Sequence, residues 1–310
     1  MATAVERAAK IKAAWQRLPP NARGMLWMTL SSAAFAVHDA SAKALGLHFS
    51  VYQITFMRFT TSLCLLLPVV WYLGWSKIGT KLPWVQGTRA ALTVCAQMLA
   101  YYALAHMLLA DVTAIAFTRA LFVTVLAVLF LGEKVAWRRW AATIVGFCGM
   151  LIMVKPGGGQ ALGIGWPTLA AMTSSLLFAT VGVAVRRYAS SEHPLAWMFY
   201  YYVAGIAMSA PGAIVTWQAP SLNELEIAAM LSVIAMVAQA AFIMAFTVGE
   251  ASAVGPLDYT RLVYATIFGW FVFTELPAAT TWAGAAIIVA ASYYVAQYEA
   301  RRRGARPERK

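Results

Sequence analysis

Residues 119–131, RALFVTVLAVLFL, and 282–291, WAGAAIIVAA, decide the fold. Neither run alternates polar with apolar side chains, as a transmembrane β-strand must over about ten residues, so both read as helices. Working outward from them, nearly continuous apolar segments fill 24–298, and the short breaks carry Gly, Pro or charge. A membrane-crossing helix takes about 20 residues and a short connection. The stretch therefore divides into ten spans: 24–44, 52–74, 84–108, 111–131, 137–154, 163–187, 194–216, 224–247, 253–273 and 279–298. The fold class is an all-α integral membrane protein.

Composition agrees. Of 310 residues 61% are hydrophobic and 12% charged, and mean hydropathy is +0.67. A soluble domain is about 45–50% apolar and about a quarter charged, so this chain has too few charges to coat a surface facing water. The net charge of +12 does not point to nucleic acid, because no polar domain carries it. The first apolar run follows a basic segment, so no secretory signal peptide is expected. Cys64, Cys95 and Cys148 lie in apolar segments at unrelated spacings and read as small core residues, outside any disulfide or metal site.

Lys and Arg set the orientation. One face collects the N-terminal residues Arg7 to Arg23, then Lys77, Lys81, Arg89, Lys134, Arg138, Arg139, Arg186 and Arg187, and finally the tail from Arg301 to Lys310. The opposite face holds only Lys43 and Lys155, while Arg58, Arg119 and Arg261 fall inside spans. Both termini are therefore expected in the cytoplasm of a bacterial inner membrane. Residues 3–18, with Val5, Ala8, Ile11, Trp15 and Leu18 near one face, either form a basic amphipathic helix on the inner leaflet or a positive tail that only sets topology.

The chain repeats itself. A shift of 142 places Gln97 on Gln239, Thr118-Arg119 on Thr260-Arg261, Glu133 on Glu275 and Trp140-Ala141 on Trp282-Ala283. A shift of 143 places Ser31, Ser32, Phe35 and Ala36 on Ser174, Ser175, Phe178 and Ala179. Each copy holds five spans, an odd number, so the second copy enters the membrane from the opposite side. Such inverted repeats exchange conformations about an axis in the membrane plane and open a central site to each side in turn.

With these residues in view, the chain resembles the drug/metabolite transporter superfamily and, within it, the EamA-type carriers. The resemblance rests on 110–133 (ADVTAIAFTRALFVTVLAVLFLGE), 137–156 (WRRWAATIVGFCGMLIMVKP) and 251–275 (ASAVGPLDYTRLVYATIFGWFVFTE), the last with Thr274-Glu275 where the family usually has Gly-Glu. The opening 23–45 with Arg58 is similar to the bacterial branch assigned to riboflavin, S-adenosylmethionine, amino acids and carboxylates. The resemblance implies a basic cytoplasmic segment 1–23, EamA-like five-helix repeats at 24–155 and 163–298, and a basic tail 299–310. It implies two bundles around a central cavity walled mainly by spans 1, 3, 4, 6, 8 and 9, with transport not driven by nucleotide hydrolysis. Consistently, Gly157-Gly158-Gly159 lacks the Gly-Lys-Ser/Thr of a phosphate cradle.

An ionisable side chain inside a span costs about 2.5–3.5 kcal/mol on insertion scales and faces the protein interior or a wet cavity. The candidates for substrate binding are Asp39, Gln97, Tyr101, Arg119, Tyr201, Gln239, Asp258 and Arg261, with His38 and Asp39 as candidates for proton coupling. Arg119 and Arg261, being repeat mates, either grip a carboxylate or phosphate or lock the repeat interface. Asp258 and Arg261, three apart on one helix, can be neighbours. Arg58, a turn or two into its span, reads as a snorkelling structural residue. Glu133 and Glu275 sit at helix ends and read as caps or gates. Trp71, Trp75, Trp84, Trp137, Trp140, Trp217 and Trp282 lie near span ends as an interfacial belt.

The functional expectation is a secondary transporter of small organic metabolites, anionic or zwitterionic, working by alternating access. Enzyme chemistry, a cofactor, a metal and nucleic acid are not expected. Membrane lipid is the surrounding partner, and the chain is expected as a monomer or homodimer. Carriers of neutral or cationic metabolites, and flippases for lipid-linked head groups, share the architecture.

Overall fold

The computed structural model describes residues 18–80, 82–131, 137–154, 165–188, 193–249 and 254–304. Residues 3–17 of the basic segment and Glu133 lie outside these. The described residues are helical and contain no strand. In chain order the helices are α1 (Pro20–Gly46), α2 (Val51–Leu73), α3 (Pro83–His106), α4 (Leu109–Phe117), α5 (Arg119–Leu131), α6 (Trp137–Val154), α7 (Trp166–Tyr188), α8 (Pro194–Val215), α9 (Leu222–Val248), α10 (Thr260–Phe273) and α11 (Ala279–Gly304). Short 3₁₀ turns occupy Trp75–Ile78 and Gly255–Tyr259.

Local chemistry explains the ends. Pro20, Pro83 and Pro194 open their helices, where a missing N–H costs nothing. Ser50 caps α2 by accepting from Gln53 N, and Ser221 with Glu224 forms a capping box on α9. Gly74, at φ 99°, closes α2 in a conformation that a side chain would strain.

Two expected spans are interrupted. The run 111–131 is divided at Thr118, whose N–H and hydroxyl both donate to Ile115 O, at 3.0 and 2.6 Å. The run 253–273 contains the Gly255–Tyr259 turn, and there Thr260 donates its hydroxyl to Leu257 O at 2.6 Å. In both places a threonine hydroxyl competes for a backbone acceptor and tightens the helix.

Among the described residues five segments are long and apolar enough by themselves to cross a bilayer: 51–73, 109–130, 166–184, 195–215 and 222–248. Large apolar side chains such as Leu129, Phe130, Ile214, Phe271 and Leu276 are exposed. Exposed apolar surface on this scale needs a covering of lipid, and the chain is a multi-pass membrane protein. All seven tryptophans of the expected belt are also exposed. Cys64 and Cys148 correct the sequence reading: they are exposed free thiols rather than core residues, and Cys95 is half-buried. A thiol is apolar enough for lipid to accept it without burial.

The most extensive helix pairs are α1 with α9, α6 with α11, α3 with α7, and α2 with α8. Small residues permit the close approaches. A Cβ on Gly205 of α8 would lie 2.2 Å from the Phe59 ring of α2, and one on Gly149 of α6 would lie 2.7 Å from Ile287 of α11. The glycines of α6 are thus consumed within the chain. The four pairs leave a central region where α1, α2, α3, α8 and α10 converge.

Candidate functional site

His38 and Asp39 stand in the C-terminal third of α1, both buried. Asp39 Oδ1 lies 3.0 Å from His38 Nδ1, and Asp39 Oδ2 accepts from Arg261 Nη2 in the first turn of α10. The other His38 nitrogen, Nε2, is 3.3 Å from the hydroxyl of Tyr101 on α3, which is fully buried. With Nδ1 protonated toward the carboxylate, Nε2 accepts the Tyr101 hydroxyl proton. The Tyr101 ring lies 5.8 Å from the Arg58 guanidinium on α2. Arg261, Asp39, His38, Tyr101 and Arg58 therefore form one connected polar chain through four helices. In surroundings of low dielectric such a chain is strong where complete and costly where a partner is missing.

Arg119 and Arg261 have different surroundings. Each faces a phenylalanine at the same register, Arg119 with Phe178 at 6.0 Å and Arg261 with Phe35 at 4.9 Å. Arg261 is paired with Asp39. Arg119 is exposed and forms no ion pair among the described residues, although the charges of Asp258 and Arg261 reach it. The position in register with Asp39 is Gly182, where a Cβ would meet nothing within 4 Å. The first copy supplies a carboxylate to the arginine of the second, whereas the second copy has a glycine at the matching position.

Further bonds recur at the same registers. Ser31 donates to Ala238 O at 2.9 Å and Ser174 to Ala96 O at 2.7 Å. Ser32 donates to Leu257 O and Ser175 to Ile115 O, both at 3.3 Å. Phe117 and Tyr259, mates at a shift of 142, pack on each other edge to face with centroids 5.1 Å apart.

The remaining candidates divide. Tyr201 on α8 is half-buried, 4.8 Å from the Phe59 ring and beside Arg58. Asp258 is half-buried, and among the described residues Arg261 pairs with Asp39 rather than with it. Gln97 is half-buried and Gln239 exposed, and neither joins the polar chain. No three His, Cys, Asp or Glu side chains cluster as a metal site would require, among the described residues.

A second polar group ties the ends of α1, α3, α4 and α10. Lys43 Nζ is 2.7 Å from Glu275 Oε1 and also donates to Met107 O. Glu275 Oε2 accepts the N–H of Leu109, the first residue of α4, at 2.9 Å. Thus Glu275 is a helix cap, as its position suggested, and an ion-pair partner too. A cavity of about 580 Å³ opens here, lined by residues including Lys43, His106, Asp111 and Glu275.

Arg58 is the residue that sequence reasoning misjudged. It is 7% exposed, so it does not snorkel. A distance of two turns from a helix end does not reveal which side of the helix a neighbour covers, and α8 covers this one.

Residues 22–155 and 165–297 each match the EamA-like transporter family. The chain is 30% identical over 272 residues to an S-adenosylmethionine uptake transporter of Rickettsia bellii, covering 88% of this chain and 92% of that protein. It is 29% identical over 287 residues to a riboflavin transporter of Rhizobium johnstonii, covering 90% and 92%. A pseudopaline exporter of Pseudomonas aeruginosa is 26% identical over 271 residues, covering 86% and 94%. A solved crystal structure shares the fold with a TM-score of 0.62 at 20% identity, covering 91% of this chain and 98% of that one. With both halves matched and the polar chain threading between their helices, the chain belongs to the EamA-like transporter family.

Proposed function

We propose that the chain is a secondary carrier of a small anionic or zwitterionic metabolite, built as two inverted five-helix repeats that give alternating access from ten spans. The contact between Phe117 and Tyr259 carries this reading. Equivalent residues of two copies touch each other only near the axis that relates the copies. The paired serine bonds and the paired Arg–Phe contacts support the same relation. Arg119 and Arg261 then flank the axis, where a central site belongs. Arg261 is occupied by Asp39, so of these two arginines Arg119 is the one open to substrate.

His38 and Asp39 are the candidate coupling groups. Protonation of Asp39 would weaken its hold on Arg261, which ties proton uptake to separation of α1 from α10. The Lys and Arg asymmetry supports an inner-membrane orientation with both termini cytoplasmic. Kinship to proteins named as transporters supports transport rather than catalysis.

The test is a thermal-shift screen of the detergent-purified protein against amino acids, carboxylates, flavins, nucleosides, S-adenosylmethionine and quaternary amines. A ligand of the folded state stabilises it by RT ln(1 + [L]/Kd). Stabilisation by a carboxylate-bearing compound, lost in Arg119→Gln, is the expected result. If only cations or neutral flavins shift the melt and Arg119→Gln responds equally, the anionic reading is wrong, and the tyrosine and glutamine side chains hold a different class of substrate.

A further inference from the structure

Arg58 is a buried guanidinium whose Nε and Nη1 have no hydrogen-bond partner. Asp39, the carboxylate of the same polar chain, is committed to Arg261 and His38. Its surroundings are aromatic. The Phe59 ring lies 5.0 Å and the Tyr101 ring 5.8 Å from the guanidinium carbon, with Tyr201 and Tyr202 beside it. The cage is built rigidly. Ser232 of α9 donates to the Arg58 carbonyl at 3.0 Å, and Gly205 of α8 leaves the space that Phe59 fills. Phe59, Tyr201 and Tyr202 then pack on one another, with centroids 4.8 to 6.1 Å apart.

A buried cation without an anion is unfavourable, and aromatic faces compensate only in part. Nε and Nη1 lie on different edges of the guanidinium and each shares its edge with Nη2, so either edge presents a fork to the two oxygens of a carboxylate. A planar guanidinium flanked by aromatic faces suits a planar, singly charged anion better than a phosphate dianion. We propose that Arg58, with Tyr101, Tyr201 and Tyr202, forms a carboxylate-binding subsite, so that the transported metabolite carries a carboxylate. This rests on the carrier reading above and names the chemistry of its substrate. The Tyr101 hydroxyl links the subsite to His38 and Asp39, so an anion on Arg58 meets the same hydrogen-bond chain that holds Arg261.

The experiment uses the full-length protein in detergent and in vesicles. Its probes are S-adenosylmethionine and L-methionine as acids, L-methioninamide, in which an uncharged amide replaces the carboxylate, inorganic phosphate, and riboflavin, which has no carboxylate. The expected result has three parts. An acid stabilises the wild-type protein and exchanges across vesicles, and its amide binds at least ten-fold more weakly. Arg58→Gln and Arg58→Lys reduce affinity for the acid at least ten-fold. The ligand-free melt of Arg58→Gln stays at or above that of wild type, because no carboxylate is orphaned. A structural role predicts instead a lowered ligand-free melt with acid binding intact, and that overturns the subsite. Equal response to acid and amide, or to phosphate in place of the acid, also overturns it. If riboflavin or the amide exchanges and Arg58→Gln does so equally well, the subsite falls while the carrier reading stands. Silence across all the probes in binding and exchange counts against both.

Discussion

At Asp39 one carboxylate faces both His38 and Arg261, and this sets the two repeat-related arginines apart. A buried ion pair is a weak source of net stability, but removal of one partner leaves an uncompensated charge and costs about 3–5 kcal/mol. The second copy has Gly182 at the matching position, with open space beside it. Gly182→Asp is expected to give Arg119 a carboxylate of its own. The variant should fold, melt no lower than wild type and lose at least ten-fold in affinity for an anionic ligand. Gly182→Asn, similar in size and uncharged, should keep its affinity. Titration of both variants by thermal shift checks this, and an undiminished anion response in Gly182→Asp would remove Arg119 from the binding site. Asp39, Tyr101 and Arg261 were legible in the sequence because an ionisable or phenolic group deep in an apolar run is unusual. Arg58 was misread because its burial depends on α8, distant in the chain.

At the scale of elements, Glu275 joins helices that are not consecutive. It caps α4 through Leu109 N and holds Lys43 at the end of α1, while Lys43 reaches the Met107 carbonyl after α3. Glu275→Ala removes both the acceptor and the charge and is expected to cost about 3–5 kcal/mol, because it leaves the buried Lys43 uncompensated. Glu275→Gln keeps an acceptor for the Leu109 N–H and should lose less. The melting temperatures of the two variants check this order. Equal losses would mean that the cap contributes nothing beyond the ion pair. The position of Glu275 just past an apolar run marked it as a cap, but its partners lie across the fold and no local pattern names them. The breaks at Thr118 and Gly255–Tyr259 were likewise invisible to hydropathy, because a tightened turn leaves the apolar run unbroken.

For the whole molecule, the proposed orientation puts the connections 74–82 inside and 216–221 outside. Gly79→Cys and Pro220→Cys, each in a chain with Cys64, Cys95 and Cys148 replaced by Ala, test this with an impermeant thiol reagent on intact cells. Label is expected on Pro220→Cys alone. Label on Gly79→Cys alone would reverse the orientation, and label on both would break the expected topology.

The order of residues alone specifies the helical membrane class, the internal register of about 142 residues and the short set of polar groups inside apolar runs. Those properties rest on hydropathy, periodicity and rare residue types, all local or countable along the chain. The tertiary structure decided which arginine is paired, which is exposed and which is enclosed by tyrosines. Those outcomes turn on contacts of a few ångströms between helices far apart in sequence, and on a carboxylate present at residue 39 and absent at residue 182.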